Sequence, residues 1–177
     1  MPINPATVIQ SGVGRSAIWC PDWMEDPFSI SVACVVSGTA TFDVATTLDD
    51  VAALGGQKAL LASTSTLLTF DPSAFAAAYA LMAAGRPVAD VTTTAGIAAG
   101  RTVASFTTNT VTMSGVAAGV LAGDLISFLT WFVPTGLSAQ TANVTGALTS
   151  PVRGISINQT AGTGGVIATF VQSQLPK

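Results

Sequence analysis

The stretch from Phe28 to Leu48 constrains the fold of this chain more than any other. Phe28, Ile30, Val32, Cys34 and Val36 alternate with Ser29, Ser31 and Ala33. A period of two puts one set on a buried face and the other on an open one, which is a half-buried β-strand. Ser37-Gly38 follows as a turn, because glycine accepts the positive φ of tight connections. Ala40, Phe42, Val44, Thr46 and Leu48 then alternate with Thr39, Thr41, Asp43, Ala45 and Thr47. The two strands are expected to pair as a β-hairpin.

Strand signals recur along the rest of the chain. They fall at residues 64–70, 88–94, 101–106, 109–114, 124–132, 143–149, 152–158 and 166–172. Glycine-bearing turns separate many of them, and Gly162-Thr-Gly-Gly165 reads as a hairpin turn. One helix interrupts the pattern, over about residues 72–84. Asp71 suits its N-cap and Pro72 its first position, Phe75, Tyr79 and Met82 recur at helical spacing, and Gly85 and Pro87 end it. These signals predict an all-β chain, a jelly-roll-like β-sandwich with an inserted segment that carries one short helix. Residues 1–53 and 124–177 are expected to build the sandwich, with 54–123 as a β-rich inserted lobe.

Composition narrows the function. Charged residues make up 8% of the 177, six basic and nine acidic, and histidine is absent. Mean hydropathy is +0.60. That excludes intrinsic disorder, and a net charge of −3 offers no cationic face for nucleic acid. Without histidine there is no Ser-His-Asp or Cys-His catalysis and no histidine-bearing metal site. A monomer of this mass exposes roughly 8,000 Å². Its charges would then lie about one per 500 Å², against about one per 180 Å² for average composition. Such a neutral exterior suits a protein that neighbours cover. No membrane span is expected, because the apolar stretch 116–133 carries Asp124 in its middle. Residues 1–8 have neither a basic start nor an apolar run, so they are not expected to direct secretion.

No residue set selects a reaction, and no enzyme activity, cofactor or metal is expected. Asp22, Glu25 and Asp26 lack the spacing of a calcium loop, and Asp49-Asp50 fits a turn cap. The glycines at 162–165 precede a strand, not the helix a phosphate loop needs. Cys20 and Cys34 read as buried thiols. Trp23, beside acidic residues, is the candidate contact of a carbohydrate-binding module. Residues 2–14 are broken by Pro2, Pro5, Gly12 and Gly14. This segment is expected to lie as an arm across a neighbour's sheet edge, with Ile3, Val8 and Ile9 filling pockets there.

Two parts of the chain carry a resemblance. Residues 29–50, which carry Val36-Ser-Gly-Thr-Ala-Thr-Phe-Asp-Val-Ala-Thr-Thr-Leu-Asp-Asp50, are one; Trp131-Phe132 through residues 137–143, then residues 150–165 with Pro151-Val-Arg-Gly-Ile-Ser-Ile-Asn-Gln-Thr-Ala-Gly-Thr-Gly164, are the other. They resemble small β-sandwich structural proteins of tailed bacteriophages. Residues 95–114 are similar to glycine-punctuated β modules of phage structural proteins. The resemblance implies a non-enzymatic virion protein, a capsid decoration or stabilising subunit present in many copies. Its implied partners are the major capsid protein and copies of itself, and its implied location is the virion, assembled in the host cytoplasm. A tail, collar or fibre component is the alternative.

Overall fold

The computed structural model describes residues 5–24, 28–93 and 95–173. The chain divides into two compact units, Met1–Leu48 with Trp131–Lys177, and Asp49–Thr130. The borders expected from the sequence are 53/54 and 123/124.

The first unit contains β1 (Ala6–Ser11), β2 (Gly14–Arg15), β3 (Ile30–Ser37) and β4 (Thr41–Thr47), then β11 (Val144–Leu148), β12 (Gly154–Ala161) and β13 (Gly165–Gln172). They form two antiparallel sheets, ordered β1-β13-β3-β11 and β2-β12-β4. Ile30, Val32, Cys34, Val166, Ala168 and Phe170 from the first sheet meet Phe42, Val44, Ile155 and Ile157 from the second in one core. Trp19 stacks on Phe170 with ring centroids 5.2 Å apart. Gly146 on β11 leaves room for Leu137, whose side chain an added Cβ would strike.

The expected hairpin does not form. β3 pairs with β13 and β11, while β4 pairs with β12. Residues 38–40 carry the chain from one sheet to the other. The turn at 162–164, expected to close a hairpin, makes the same crossing between β12 and β13. Alternation fixes which face of a strand is buried, not which strand lies beside it. Both layouts turn the same residues inward, so the pattern could not separate them.

The two crossings touch. The Gly164 N–H donates to Thr39 O at 2.8 Å and the Gly12 N–H to Gly164 O at 3.0 Å. A Cβ on Gly164 would collide with the Ser37 and Thr39 backbone, and Gly162, at φ +92°, lies against Thr39 O. The buried Gln159 side-chain amide donates toward Ala161 O, Gly162 O and Gly164 O, at 3.3, 3.1 and 3.2 Å.

The N-terminal segment corrects a second expectation. Residues 6–11 are not an arm for a neighbour; they pair with β13 of their own sheet, Ala6 opposite Phe170 through Ser11 opposite Gly165. Pro5 and Gly12 bound the strand without interrupting it, and six residues suffice for an edge strand.

The second unit contains α1 (Val51–Leu54), β5 (Gln57–Lys58), β6 (Leu67–Thr69), α2 (Pro72–Leu81), β7 (Ala89–Asp90), β8 (Val103–Phe106), β9 (Thr110–Met113) and β10 (Leu125–Ser127). Its sheets run β5-β10-β7 and β6-β9-β8. Asp71 caps α2 by accepting from the Ser73 and Ala74 N–H groups at 2.9 and 3.1 Å. The helix stops at Leu81, before the expected residue 84, and Phe75, Ala78 and Met82 are buried while Tyr79 is 39% exposed. Phe70 and Phe75 stack at 4.5 Å, and Phe128 meets both rings edge-on at 5.9 and 6.1 Å. β10, expected in the sandwich, pairs with β5 and β7 here. Among the described residues no helix is long and apolar enough to cross a membrane, which says nothing of strands.

Two outcomes follow from these contacts. Phe128→Ala should cost about 3–5 kcal/mol in urea unfolding, because it removes one ring of a three-ring cluster. Deleting residues 2–11 should lower the thermal midpoint and promote aggregation by light scattering, because it bares one edge of β13.

Candidate functional site

The most distinctive surface is the outer face of the β1-β13-β3-β11 sheet. Side chains alternate across a strand, so the residues between the core positions share this face. Strand register lines them up in rows. Ile9 lies opposite Ile167, which lies opposite Val35. The next row runs Thr7, Thr169, Ala33, Thr145 across all four strands, and the third runs Val171, Ser31, Ala147. None of these residues carries a charge.

Ile9, Val35 and Ile167 are 62%, 52% and 42% exposed. Three large aliphatic side chains in one cross-strand row form an apolar ridge. Beside it lies a shallow depression of about 320 Å³, bordered by Ser31, Ala33, Thr145, Gly146, Thr169 and Val171. Small residues in the middle of the sheet make the hollow, and threonines and Val171 make its rim. Such a surface offers shape and apolar area, with hydroxyls as its only side-chain polarity.

The candidate residues named from the sequence separate in space once their strands are placed. Val8 turns inward and packs against the core of its own unit, so it is not available to fill a neighbour's pocket. Ile9, one residue on, belongs to the exposed ridge. Ile3 lies outside the described residues. Trp23 is 45% exposed and its ring carries the Arg153 guanidinium at 5.2 Å. Its loop is anchored to β13, where the Gln172 amide accepts from the Asp22 N–H at 3.0 Å and donates to Asp22 O at 2.6 Å. Glu25 and Asp26, the expected acidic neighbours, lie outside the described residues. Sequence reasoning does not single out Val35, Ile167, Thr169 and Thr145. Their one signal, a run of outward positions without charge, becomes visible only when the four strands are known to be adjacent.

No protein family, characterised protein or solved structure matches this chain.

Elsewhere the charged groups serve local structure. Asp49 accepts from the Arg86 guanidinium at 2.9 Å and from the Thr130 N–H at 2.6 Å, and Asp50 caps α1 at the Ala53 N–H. Arg15 lies 4.2 Å from the Trp131 ring. Burial lowers its pKa to about 10, against the opposing pull of Asp43. Among the described residues no three cysteine or carboxylate side chains converge as a metal-binding set.

The two cysteines differ. Cys34 is buried and Cys20 is exposed, which corrects the expectation of two buried thiols; no disulfide joins them. Burial pushes the Cys34 thiol up to about 11, so at neutral pH it is protonated and unreactive. An aromatic disulfide reagent at neutral pH should therefore label Cys20 in the folded protein and reach Cys34 only after denaturant is added.

Proposed function

We propose that this chain is a non-enzymatic assembly subunit, and that the outer face of its four-stranded sheet is a contact surface for neighbouring protein subunits. The observation that carries the reading is the uncharged face crossed by the Ile9, Ile167 and Val35 ridge. Exposed apolar rows on a sheet are what a protein surface avoids unless something covers them. The charge content of 8% extends the same character to the rest of the exterior.

The size of the face indicates the kind of contact. Four strands at about 4.8 Å spacing and five to eight residues at about 3.4 Å each give roughly 400–500 Å² per copy. A standard stable interface takes about 800 Å² from each partner. One such contact is weak alone and becomes firm when repeated, as when many copies are tethered to one lattice. That arithmetic supports a subunit working in many copies. Together with the resemblance of residues 36–50 and 151–164 to phage structural proteins, it favours a capsid decoration or stabilising subunit, bound to the major capsid protein and to copies of itself in the virion.

The test pairs a location with a surface. The protein should be recovered from purified particles, and Ile167→Lys should abolish that recovery. Position 167 is exposed, so the stability of this variant should stay within about 0.5 kcal/mol of the parent's in urea unfolding. Absence of the parent protein from particles would overturn the virion reading. Full attachment of the Ile167→Lys variant would overturn the assignment of the face.

A further inference from the structure

The second unit holds two acidic side chains that are both 5% exposed, Asp90 at the end of β7 and Asp124 just before β10. Carboxylates are seldom buried this deeply without a cation or several donors. Asp90 satisfies one oxygen well: Oδ1 accepts from the Thr92 and Thr93 N–H groups at 2.9 and 2.8 Å. Oδ2 is sealed from solvent and, among the described residues, receives no N–H or hydroxyl donor. Asp124 accepts the Leu121 N–H through its own Oδ2 at 2.8 Å.

What lies beside Asp90 is Asp124: Asp90 pairs with Ile126 across the β7–β10 ladder and the Val91 N–H donates to Leu125 O at 2.9 Å, which brings the two carboxyl groups together. Two ionised carboxylates are acceptors only, so a hydrogen bond between them requires a proton on one. The surroundings hold the pair together. A Cβ on Gly96 would collide with Asp90 Oδ2, so this glycine allows the chain to close over the carboxyl group. Gly96 in turn accepts from the Ala118 N–H at 2.9 Å, and the Leu125 N–H donates to Thr92 Oγ1 at 2.8 Å.

Among the described residues, the neighbouring elements supply no compensating charge. On β5, Lys58 is exposed and its side chain runs past Gly123, opposite Leu125. Arg101 lies against Gly115. β10 carries no titratable residue, and the charge acting on Asp90 is that of Asp124.

We propose that Asp90 and Asp124 bind one proton between them in the folded protein, and that this shared proton is a pH-sensitive latch. It joins the turn after β7 to the turn before β10. Ionising both groups would set two like charges against each other in a site nearly closed to solvent.

The direction of the pH effect follows. Burial, and then the proximity of Asp124, raise the Asp90 pKa against the opposing backbone hydrogen bonds of Thr93 and Thr92. The unfolded chain releases this proton near the ordinary carboxylate value of about 3.9. Between that value and the raised folded one, the folded state holds one proton more than the unfolded state. The contribution to stability is therefore full below the unfolded value, falls as pH rises through this window, and is gone above the folded pKa.

Asp90→Asn is the informative variant, because its amide can donate to Asp124 while its oxygen still accepts from Thr92 and Thr93. It imitates the protonated pair at every pH. Urea unfolding of the full chain across this window should show the parent losing stability as pH rises, relative to Asp90→Asn, with the two converging at the acid end. Infrared spectra of the parent, followed as pH rises above the ordinary carboxylate value of about 3.9, should show the carbonyl stretch of a protonated carboxylic acid persisting after the exposed carboxylates have ionised, absent from Asp90→Asn; this reading on the parent stands even if the variant folds poorly. Parallel pH profiles, or a protonated-acid band in the parent that is lost together with those of the exposed carboxylates, would overturn the proposal. So would recovery of acid-level stability at high pH on adding calcium chloride, which would make the ligand a cation.

Discussion

Two chain crossings pressed against each other set the arrangement of the first unit. Where residues 38–40 and 162–164 pass between the sheets, the Gly164 backbone lies against Ser37 and Thr39 with no room for a side chain. The hydrogen bond from Gly164 to Thr39 and the bond from Gly12 to Gly164 tie three segments at one point. Once the crossings are superimposed, β3 must run beside β13 and β4 beside β12, each in one register. β1 enters the same sheet along the free side of β13. The Gln159 amide closes the corner by donating to three carbonyls of the turn, Gly164 O among them, which also accepts from Gly12. A buried polar side chain here specifies a geometry that apolar packing alone would leave loose.

This corner also marks how far the sequence can be read. The alternation from Phe28 to Val36 identifies the inward residues of β3, and all-β character is legible from the recurring strands. The partners of those strands are not. A Ser-Gly turn is compatible with a hairpin within one sheet and with a crossing between two, and the choice depends on Gly164, far away along the chain. The same holds for residues 6–11: Thr7, Val8 and Ile9 favour a strand, yet nothing local says that β13 is its partner. In the second unit, Asp71 and Pro72 announce the start of α2 because capping is local. The short α1 has too few positions to show a period. Phe128 places β10 in the second unit through Phe70 and Phe75, contacts that sequence spacing does not encode.

Most of the sparse charges are engaged in contacts within their own unit. Arg86 is held by Asp49, Arg15 lies over Trp131 with Asp43 nearby, and Arg153 lies over Trp23. Guanidinium groups suit this use, since their flat, weakly hydrated faces stack on rings. Asp71 and Asp50 cap helices, and Asp90 with Asp124 is buried. The candidate contact face could therefore be noticed only after the strands were placed. A low count of charged residues says that neutral surface exists; strand order says where it is continuous.

β13 lies between β1 and β3, yet the whole of Asp49–Thr130 separates it from both in sequence. As the polypeptide is synthesised, residues 6–48 emerge with their inward faces patterned and their lateral partners not yet made. The contiguous stretch 49–130 contains every strand its own two sheets need. The first unit must instead hold its opening segments in a waiting state until residues 131–172 arrive. Long-range pairing of this kind is slow because loop closure precedes any reward. During that interval the segment 28–36 is an apolar strand with both edges open, the condition in which chains associate with the wrong partner. Neutral composition, useful in an assembled surface, offers little electrostatic protection then, so the yield of correctly folded protein should depend on how quickly the distal strands are delivered.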